Sequence, residues 1–456
     1  MPKKLQRLST FHFYFPILVV LFFILIFSSF SWSSPFQETH LEKSTKAAII
    51  DWMCLKLDEI YVFPDVAKKM EEYLRYKLKN GDYDSITDPR AFTQVLRGDL
   101  IKVSHDRHFN VVYAPEPSIR MERPDPEEEK KREEQKIRQL DFDNYYFKKV
   151  ERLDGNVGYM RFDGFADTLY AGDTAVAALQ FLKNCDAIII DLRYNGGGGA
   201  DMIQLILSYF FKERTHINSW YIRREDKTIQ SWTSTYVPGK KLLDIDLYIL
   251  TSSRTFSAAE EFIYDLKNLD RATLVGETTG GGGHMVTFER NDELKIEFKI
   301  PFNRAVNPYS GDNWEAKGIE PHVKCPAKEA LDKAYILALE KIHEKAGPEG
   351  NYKQWLAWLI DYIKFRANPI DVKAEVLQKY VGTYGPARVL FENGRLWLIQ
   401  PGRTQKVPLL GMTEDSFIID GEPDVRVKFE KNEQEEVTAA LALFFDGSSD
   451  RLPKKK

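Results

Sequence analysis

The chain has 456 residues, of which 43% are hydrophobic and 29% charged, and its formal net charge at pH 7 is −4. These values fit a folded protein of about three structural units and exclude an intrinsically disordered chain. Without a basic excess, nothing in the composition indicates a nucleic-acid partner. Cys54, Cys185 and Cys325 are widely spaced, which excludes a disulfide scaffold and a cysteine-based metal or redox motif.

The first 35 residues predict the compartment. Lys3, Lys4 and Arg7 precede an apolar run over residues 11–32, and a bilayer crossing needs about 20 such residues. A basic start before an apolar run is typical of a secretory signal or a signal anchor. We therefore expect residues 1–35 to be a signal peptide or a single membrane anchor, with cleavage left open. The rest of the chain is expected to be extracytoplasmic: periplasmic, secreted or membrane-anchored.

Helical spacing of apolar residues dominates the region that follows. The pattern extends over about residues 41–103 and ends before a strand-like segment at residues 109–113. Residues 36–114 therefore predict an N-terminal helical subdomain. Residues 115–140 are rich in proline and in charges of both signs, which indicates a solvated connector or an exposed charged helix.

Short apolar runs alternate with helical patterns in the middle of the chain. The predicted strands that are followed by a glycine-rich turn or a helix lie at residues 186–191, 247–251 and 272–275. Continuous apolar strands of this kind favour a largely parallel, buried sheet. Residues 141–346 therefore predict an α/β core.

The last part of the chain has a different texture. Residues 347–379 predict a helical linker, because their apolar residues again recur at helical spacing. From residue 380 onward, short alternating segments are separated by turns at Asn393-Gly394 and Asp446-Gly447. Residues 380–456 therefore predict a small β domain.

Ser257 is the first candidate for chemistry, because it opens a predicted helix six residues after an apolar strand. Free N–H groups at a helix start can stabilise an oxyanion. A serine there can attack a carbonyl while the amide of Ala258 holds the developing negative charge. Ser257 and Glu260 also have the spacing of a capping box, which explains the serine without any chemistry. The local pattern leaves both interpretations open.

A glycine-rich loop follows the predicted strand that ends at Asp191. Gly196, Gly197, Gly198 and Gly199 are consecutive, and such a run lets the backbone approach a ligand closely and direct its amides at it. Neither a dinucleotide fingerprint nor a P-loop lysine is present, which excludes a nucleotide site of those types. A plain flexible turn is the alternative.

A serine nucleophile needs a base, and the base needs a group that fixes its tautomer. The candidate bases that remain after the leader and the amphipathic helices are set aside are His105, His108, His284 and His322. Periodicity does not choose among them.

Three ordered motifs resemble the tail-specific (C-terminal processing) serine proteases, and most closely the branch similar to interphotoreceptor retinoid-binding protein and the tricorn protease core. They are residues 191–199, residues 255–261 and residues 275–282. The resemblance covers roughly residues 41–323. It implies a crotonase-like core of repeated ββα units, in which a serine lies at a helix start beside an oxyanion hole.

The family divides by its catalytic base. Many members use a lysine, but the matching position in this chain is Gly282. The other branch uses histidine and glutamate. Its Asp-x-His-aromatic pattern matches residues 106–109, which favours His108 over His105, and its Glu-x-x-Gly-aliphatic-x-Pro pattern matches residues 315–321. The missing lysine and the retained histidine and glutamate agree with one another.

The resemblance thus implies a role for each site residue. Ser257 is the nucleophile, His108 is the general base, and Glu315 orients the histidine or supports it electrostatically. The residues implied as oxyanion donors are Ala258 and one of Gly197 and Gly198. We expect neither a metal nor an organic cofactor.

The leading hypothesis is therefore an extracytoplasmic serine endopeptidase with a peptide or protein substrate. The spacing between His108 and the next predicted strand leaves too little room for a PDZ module, so selection of C-terminal tails is not implied. A non-catalytic binder of apolar ligands is the alternative, because the retinoid-binding relatives use this fold for carriage. An acyl-CoA enzyme is disfavoured, because coenzyme A is intracellular. The sequence does not set the oligomeric state.

Overall fold

The computed structural model describes residues 41–116, 126–347 and 350–455. The leader predicted at residues 1–35 lies outside these ranges, as does part of the predicted connector. Within them, no helix combines the length and the apolar character that crossing a bilayer requires.

The described chain begins with three helices, as the periodicity predicted. They are α1 (Lys43–Ile60), α2 (Pro64–Asn80) and α3 (Pro89–Ser104). Proline opens α2 and α3, where its missing N–H costs no hydrogen bond. Gly81 ends α2 in the left-handed conformation, which glycine adopts without strain. Strand β1 (Asn110–Tyr113) follows α3.

The centre of the molecule is a six-stranded sheet. Its strands are β2 (Phe147–Leu153), β3 (Val157–Phe162), β4 (Ala187–Asp191), β7 (Asp246–Thr251), β8 (Thr273–Gly276) and β12 (Val323–Lys324). They lie in the order β12-β8-β7-β4-β3-β2, and every neighbouring pair is parallel except β2 with β3. The predicted parallel sheet is therefore present.

Helices cover both faces of this sheet. They are α4 (Pro126–Phe142), α5 (Thr168–Phe181), α6 (Ala200–Leu207), α7 (Ala258–Asn268), α8 (Ala330–Lys345) and α9 (Asn351–Ala367). A further helix, α10 (Ala374–Lys379), packs instead on the strands at the end of the chain. In β4, Ile188 and Ile190 belong to the core under α5, α6 and α7. Ile189 belongs to the core under α8 and α9. Burial on both faces explains why the strand is apolar throughout.

Two three-stranded sheets lie outside the central one. The first contains β5 (His216–Ile222), β6 (Lys227–Trp232) and β11 (Asn303–Val306); the second contains β1, β9 (Val286–Asn291) and β10 (Ile296–Pro301). Residues of β1 and β10 share a core with α1, α2 and α3. The pairing of β1 with β10 brings the segment before β1, which contains His108, next to the segment before β9.

Eight short antiparallel strands form the end of the chain. They are β13 (Gly382–Tyr384), β14 (Ala387–Glu392), β15 (Arg395–Ile399), β16 (Lys406–Gly411), β17 (Ser416–Ile419), β18 (Glu422–Lys431), β19 (Val437–Phe444) and β20 (Ser449–Pro453). Asn393 and Gly394 both have positive φ, as a tight hairpin turn requires. A bridge between Tyr384 and Lys454 joins the first strand to the end of the chain, so the sheet closes on itself. The described part of the chain is a mixed α/β protein.

Candidate active site

Ser257 lies in the turn between β7 and α7, and the helix begins at Ala258 as predicted. Its backbone has φ +56° and ψ −124°. A side chain in this region of positive φ is strained, at a cost of about 1–3 kcal/mol. Strain of this kind persists only where the surrounding structure imposes it, so the contacts that hold the turn matter.

The turn is held by the loop that follows β4. The hydroxyl of Thr255 donates to the Leu192 carbonyl at 2.8 Å, and the amide of Phe256 donates to the Asn195 carbonyl at 3.1 Å. Asn195 is fully buried, and its side-chain amide donates to the Phe162 carbonyl at 3.0 Å. The carboxyl ends of β3, β4 and β7 are thus tied together directly beneath Ser257.

The glycine-rich loop touches the serine. A Cβ atom at Gly197 would lie 2.9 Å from Cβ of Ser257 and 3.0 Å from the Ala258 nitrogen, and one at Gly198 would lie 2.1 Å from the Phe165 carbonyl oxygen. Both positions have positive φ and therefore require glycine. The Gly197 amide donates to Oδ1 of Asn195 at 2.9 Å. For the amides of Gly198 and Ala258, no acceptor is within hydrogen-bonding distance among the described residues.

Glu260 forms the capping box that the sequence predicted. Its carboxylate is fully buried and accepts hydrogen bonds from the amides of Ser257, Gly281 and Gly282 at 3.0, 2.7 and 2.7 Å, and from the hydroxyl of Thr279. Burial raises the pKa of Glu260, and these hydrogen bonds oppose the shift. The capping box is therefore present, and through the hydrogen bonds of Glu260 it also links Ser257 to the segment that contains Gly282.

His108 lies between α3 and β1, with its side chain buried. Its backbone N–H and its Nδ1 both lie near Oδ1 of Asp106, at 2.9 and 3.1 Å. Oδ2 of Asp106 lies 2.6 Å from Nδ1 of His284. Glu315 Oε2 accepts the amide hydrogen of Gly283 and lies 3.7 Å from Nδ1 of His108 and 3.4 Å from Nδ1 of His284. The structure therefore brings His108 and Glu315 into one cluster, with Asp106 and His284 as further members.

The two carboxyl groups of this cluster have opposite pKa shifts. Burial alone would raise the pKa of Asp106, but hydrogen bonds from His108 and His284 outweigh it and hold the pKa well below its usual range. Burial, together with the nearby charge of Asp106, raises the pKa of Glu315 to about 9. At neutral pH Asp106 is therefore ionised and Glu315 is protonated. An ionised Asp106 only accepts hydrogen bonds, so both imidazoles direct an Nδ1–H at it, and in the neutral form of either ring the lone pair is then on Nε2.

Phe256, the residue before Ser257, lies against His108. Its ring centroid is 5.2 Å from that of His108, and a Cβ atom at Gly282 would lie 2.3 Å from its ring. Nε2 of His108 is buried and has no hydrogen-bond partner among the described residues. The turn that contains Ser257 and the segment that contains His108 thus meet at the Phe256 ring and the glycine segment. No hydrogen bond joins Ser257 to His108. The position that holds lysine in other members of the suspected family has no space for a side chain here.

The remaining candidate histidines lie elsewhere. His105 ends α3 with positive φ and is exposed, and Nδ1 of His322 accepts the amide hydrogen of Leu274 at 2.9 Å. His284 is one of the four histidines that the sequence leaves as candidate bases, and the sequence gives it no role; Asp106 enters only as part of the motif around His108. The single available signal for Asp106 was its place two residues before His108. For His284 no local signal existed.

The comparisons with known proteins agree with this architecture. The family model described as "Peptidase family S41" matches residues 156–325. The model described as "N-terminal domain of Peptidase_S41 in eukaryotic IRBP" matches residues 43–143. Together they cover more than half of the chain. The chain belongs to peptidase family S41, a family of serine-type peptidases.

Relatives of known name match only a part of the chain. A carboxyl-terminal-processing protease of Synechocystis sp. is 34% identical over 151 residues, which is 32% of this chain and 33% of that protein. The chloroplastic carboxyl-terminal-processing peptidase 1 of Arabidopsis thaliana is 31% identical over 202 residues, 42% of this chain and 40% of that protein. The matches thus span two fifths or less of these relatives' own lengths. The solved tricorn protease is 13% identical at a TM-score of 0.43, over 66% of this chain and 37% of its own.

Proposed function

We propose that the protein is an extracytoplasmic serine endopeptidase that hydrolyses peptide bonds with Ser257 and His108. One observation carries the proposal: Ser257 has a strained backbone at a strand-to-helix turn, beside two amides that find no acceptor among the described residues. A sharp turn of this kind exposes a nucleophilic serine in other hydrolases. Membership of family S41 and the strand–helix alternation from β3 to β8 support a crotonase-like core of ββα units.

The reaction begins when Oγ of Ser257 attacks the scissile carbonyl carbon. Nε2 of His108 takes the hydroxyl proton and later gives it to the leaving amine, as in other serine peptidases. The amides of Ala258 and Gly198 bind the oxygen that becomes negative in the tetrahedral intermediate. Gly198 is preferred to Gly197, because the Gly197 amide already donates to Asn195.

Asp106 is the direct positioning residue for His108 in this proposal. The distance from its Oδ1 to Nδ1 of His108 is 3.1 Å, within hydrogen-bonding range, whereas that from Glu315 is 3.7 Å. A carboxylate at Nδ1 keeps the proton off Nε2 and stabilises the imidazolium that forms during attack. Glu315 acts at longer range, in support of the cluster and of the Gly283 amide.

The hydrogen bond between Ser257 and Nε2 of His108 has to form when substrate binds. Such bonds are often long in free enzymes and shorten in the complex. Rotation of the Phe256 ring is part of this movement in the proposal, because that ring lies against His108. A groove beside His108 is lined by Arg97, Arg107 and Lys299, which supports a peptide substrate with negative groups.

Location and organisation remain part of the proposal. The basic, apolar leader supports an extracytoplasmic protein, and the names of the relatives support a protein or peptide substrate. We propose the units of the chain as the sequence suggested them: a helical subdomain at residues 36–114, a connector at 115–140, a protease core at 141–346, a helical linker at 347–379 and a β domain at 380–456.

The test combines active-site labelling with peptide hydrolysis by the wild type and the variants Ser257→Ala, His108→Ala and Ser253→Ala. We expect a fluorophosphonate probe to label the wild type and Ser253→Ala at Ser257. Both active-site variants should lose at least about 10³-fold in kcat/KM. Ser253 is exposed in the same turn and controls for nonspecific damage. Equal hydrolysis by all four proteins would refute the mechanism, and a wild type that neither reacts with the probe nor cleaves peptides would favour the ligand-binding alternative.

A further inference from the structure

His108 and three neighbouring side chains form a cluster of possible metal ligands. His108, His284, Asp106 and Glu315 can each offer one ligand atom, an imidazole nitrogen or a carboxylate oxygen, and these atoms all lie within 4.8 Å of one another. Nδ1 of His284 lies 2.6 Å from Oδ2 of Asp106, and Nδ1 of His108 lies 3.1 Å from Oδ1 of the same residue. Oε2 of Glu315 lies 3.4 and 3.7 Å from Nδ1 of His284 and of His108. His284 has no role in the proposed peptidase chemistry, and its side chain is completely buried.

The set fits one kind of ion. Zinc takes imidazole nitrogen and carboxylate oxygen at about 2.0–2.2 Å in a tetrahedron, whose corners are then about 3.3–3.6 Å apart. Small movements from the observed distances would satisfy that geometry. Once Glu315 has given up its proton, two carboxylates and two neutral imidazoles balance the charge of a divalent cation. Two nitrogen ligands disfavour Mg²⁺ and Ca²⁺, which prefer oxygen.

The surroundings hold the ligands in place. The backbone N–H of His108 donates to Asp106, and the Gly283 amide donates to Glu315. The ring of Phe63 lies 5.4 Å from that of His284. Supporting contacts of this kind orient ligands and strengthen metal binding. With four protein ligands and little solvent access, the site leaves no open position for a reactive water.

We propose that Asp106, His108, His284 and Glu315 bind one Zn²⁺ ion, and that the bound ion turns off the peptidase through His108. The ion accepts a lone pair from Nδ1 of each imidazole, so the Nδ1 proton of each ring is transferred through solvent to its Nε2, and Glu315 releases its proton to solvent as its carboxylate binds. Nε2 of His108 then has no lone pair to receive the proton of Ser257. Zinc and the catalytic tautomer of His108 therefore exclude each other. The inhibitory part of this proposal rests on the proposed peptidase function; the binding part does not.

The binding test uses the full chain after treatment with a chelator. Zinc binding is measured by equilibrium dialysis for the wild type, Ser257→Ala, His284→Gln and His343→Ala. We expect one Zn²⁺ per chain in all except His284→Gln, whose affinity should fall at least about 100-fold. His343 lies on α8, outside the cluster, and is the matched histidine control. Glu315→Gln is the second ligand variant, in case His284→Gln does not fold.

Co²⁺ in place of Zn²⁺ should give the visible absorption of a tetrahedral site in the wild type, and Mg²⁺ should neither bind nor compete. A wild type without stoichiometric zinc, or ligand variants with wild-type affinity, would overturn the site.

In the inhibition test, Zn²⁺ should abolish peptide hydrolysis and a chelator should restore it. Zinc-saturated wild type that cleaves as fast as the chelated protein would overturn the switch. If the chelated wild type cleaves nothing, the peptidase function has failed, and the dialysis result alone decides the zinc site.

Discussion

The two sides of the site are built in different ways. On the serine side, backbone features set the geometry. They are the φ of Ser257, the amides of Ala258 and Gly198, and the glycines that let the loop approach Ser257. On the histidine side, Asp106 is surrounded by the side chains of His108, His284 and Glu315, which come from distant segments, and all but Glu315 are buried. A backbone site is fixed by the fold that carries it. A side-chain cluster depends on protonation, and the same atoms can bind a proton or a metal ion.

The largest expected effect concerns the acceptor on the histidine side. Asp106→Asn should lower kcat/KM by about 10³–10⁴-fold, because an amide at Nδ1 can donate and so favour the His108 tautomer with its proton on Nε2. Glu315→Gln should cost less than about tenfold, because Glu315 is already neutral at pH 7, burial having raised its pKa to about 9. Steady-state kinetics of both variants, with circular dichroism to verify folding, measures the difference.

Glu315→Gln is the natural control for Asp106→Asn, since both replace a buried carboxyl group with an amide of the same shape. If Glu315→Gln were the more damaging change, the positioning role would belong to Glu315 as the family resemblance implied. The histidine side would then follow the family pattern without a contribution from Asp106.

The next effect tests the serine side. Gly198→Ala should destabilise the protein by about 3 kcal/mol or more and abolish hydrolysis, because its Cβ would lie 2.1 Å from a backbone oxygen at positive φ. Gly196→Ala, two residues away in the same loop, has no atom within 4 Å of its Cβ and should be close to wild type. Urea denaturation and kcat/KM measure both variants. Similar behaviour of the pair would mean that the loop adapts and that the backbone of Gly198 is not held in place.

This contrast also explains what the sequence could predict. The buried strand that ends at Asp191, the helix that starts after Ser257 and the glycine loop are local features, and local periodicity and composition predicted them. The pairing of β1 with β10 joins segments far apart in the chain, and Asp106 meets His284 across 178 residues. No local pattern marks such a contact. The motif resemblance identified His108 and Glu315. That Asp106 is the partner of His108 at hydrogen-bonding distance follows only from the structure.

The third effect concerns Glu261, a buried acid on the serine side of the site. Glu261 on α7 is buried, accepts from Asn218 at 3.0 Å and has its pKa raised by burial from 4.5 to about 7. A raised pKa in an acid means that the folded state favours the protonated form. Its stabilising effect is therefore complete below about pH 4.5 and is lost as pH rises to about 7. Glu261→Gln avoids this loss and should gain up to about 3 kcal/mol over the wild type by pH 8.

Urea denaturation at pH 5, 6, 7 and 8 measures the gain, with Glu225→Gln as an exposed control. We expect the unfolding free energies of Glu261→Gln and the wild type to diverge over this range, and those of Glu225→Gln and the wild type to stay parallel. Parallel curves for all three proteins would mean that Glu261 is ionised in the folded state and that a partner compensates its burial.

The smallest effect lies where the two sides meet. Gly282→Ala places a Cβ 2.3 Å from the Phe256 ring, so the ring has to move toward or away from His108. We expect a loss of about 1–2 kcal/mol in stability and about tenfold in kcat/KM. Adding Phe256→Leu should recover part of both losses, because the smaller side chain leaves space for the methyl group. Phe256→Leu alone completes the double-mutant cycle. Additive effects would show that Phe256 does not couple the glycine segment to His108, and the serine and histidine sides would then be independent until substrate joins them.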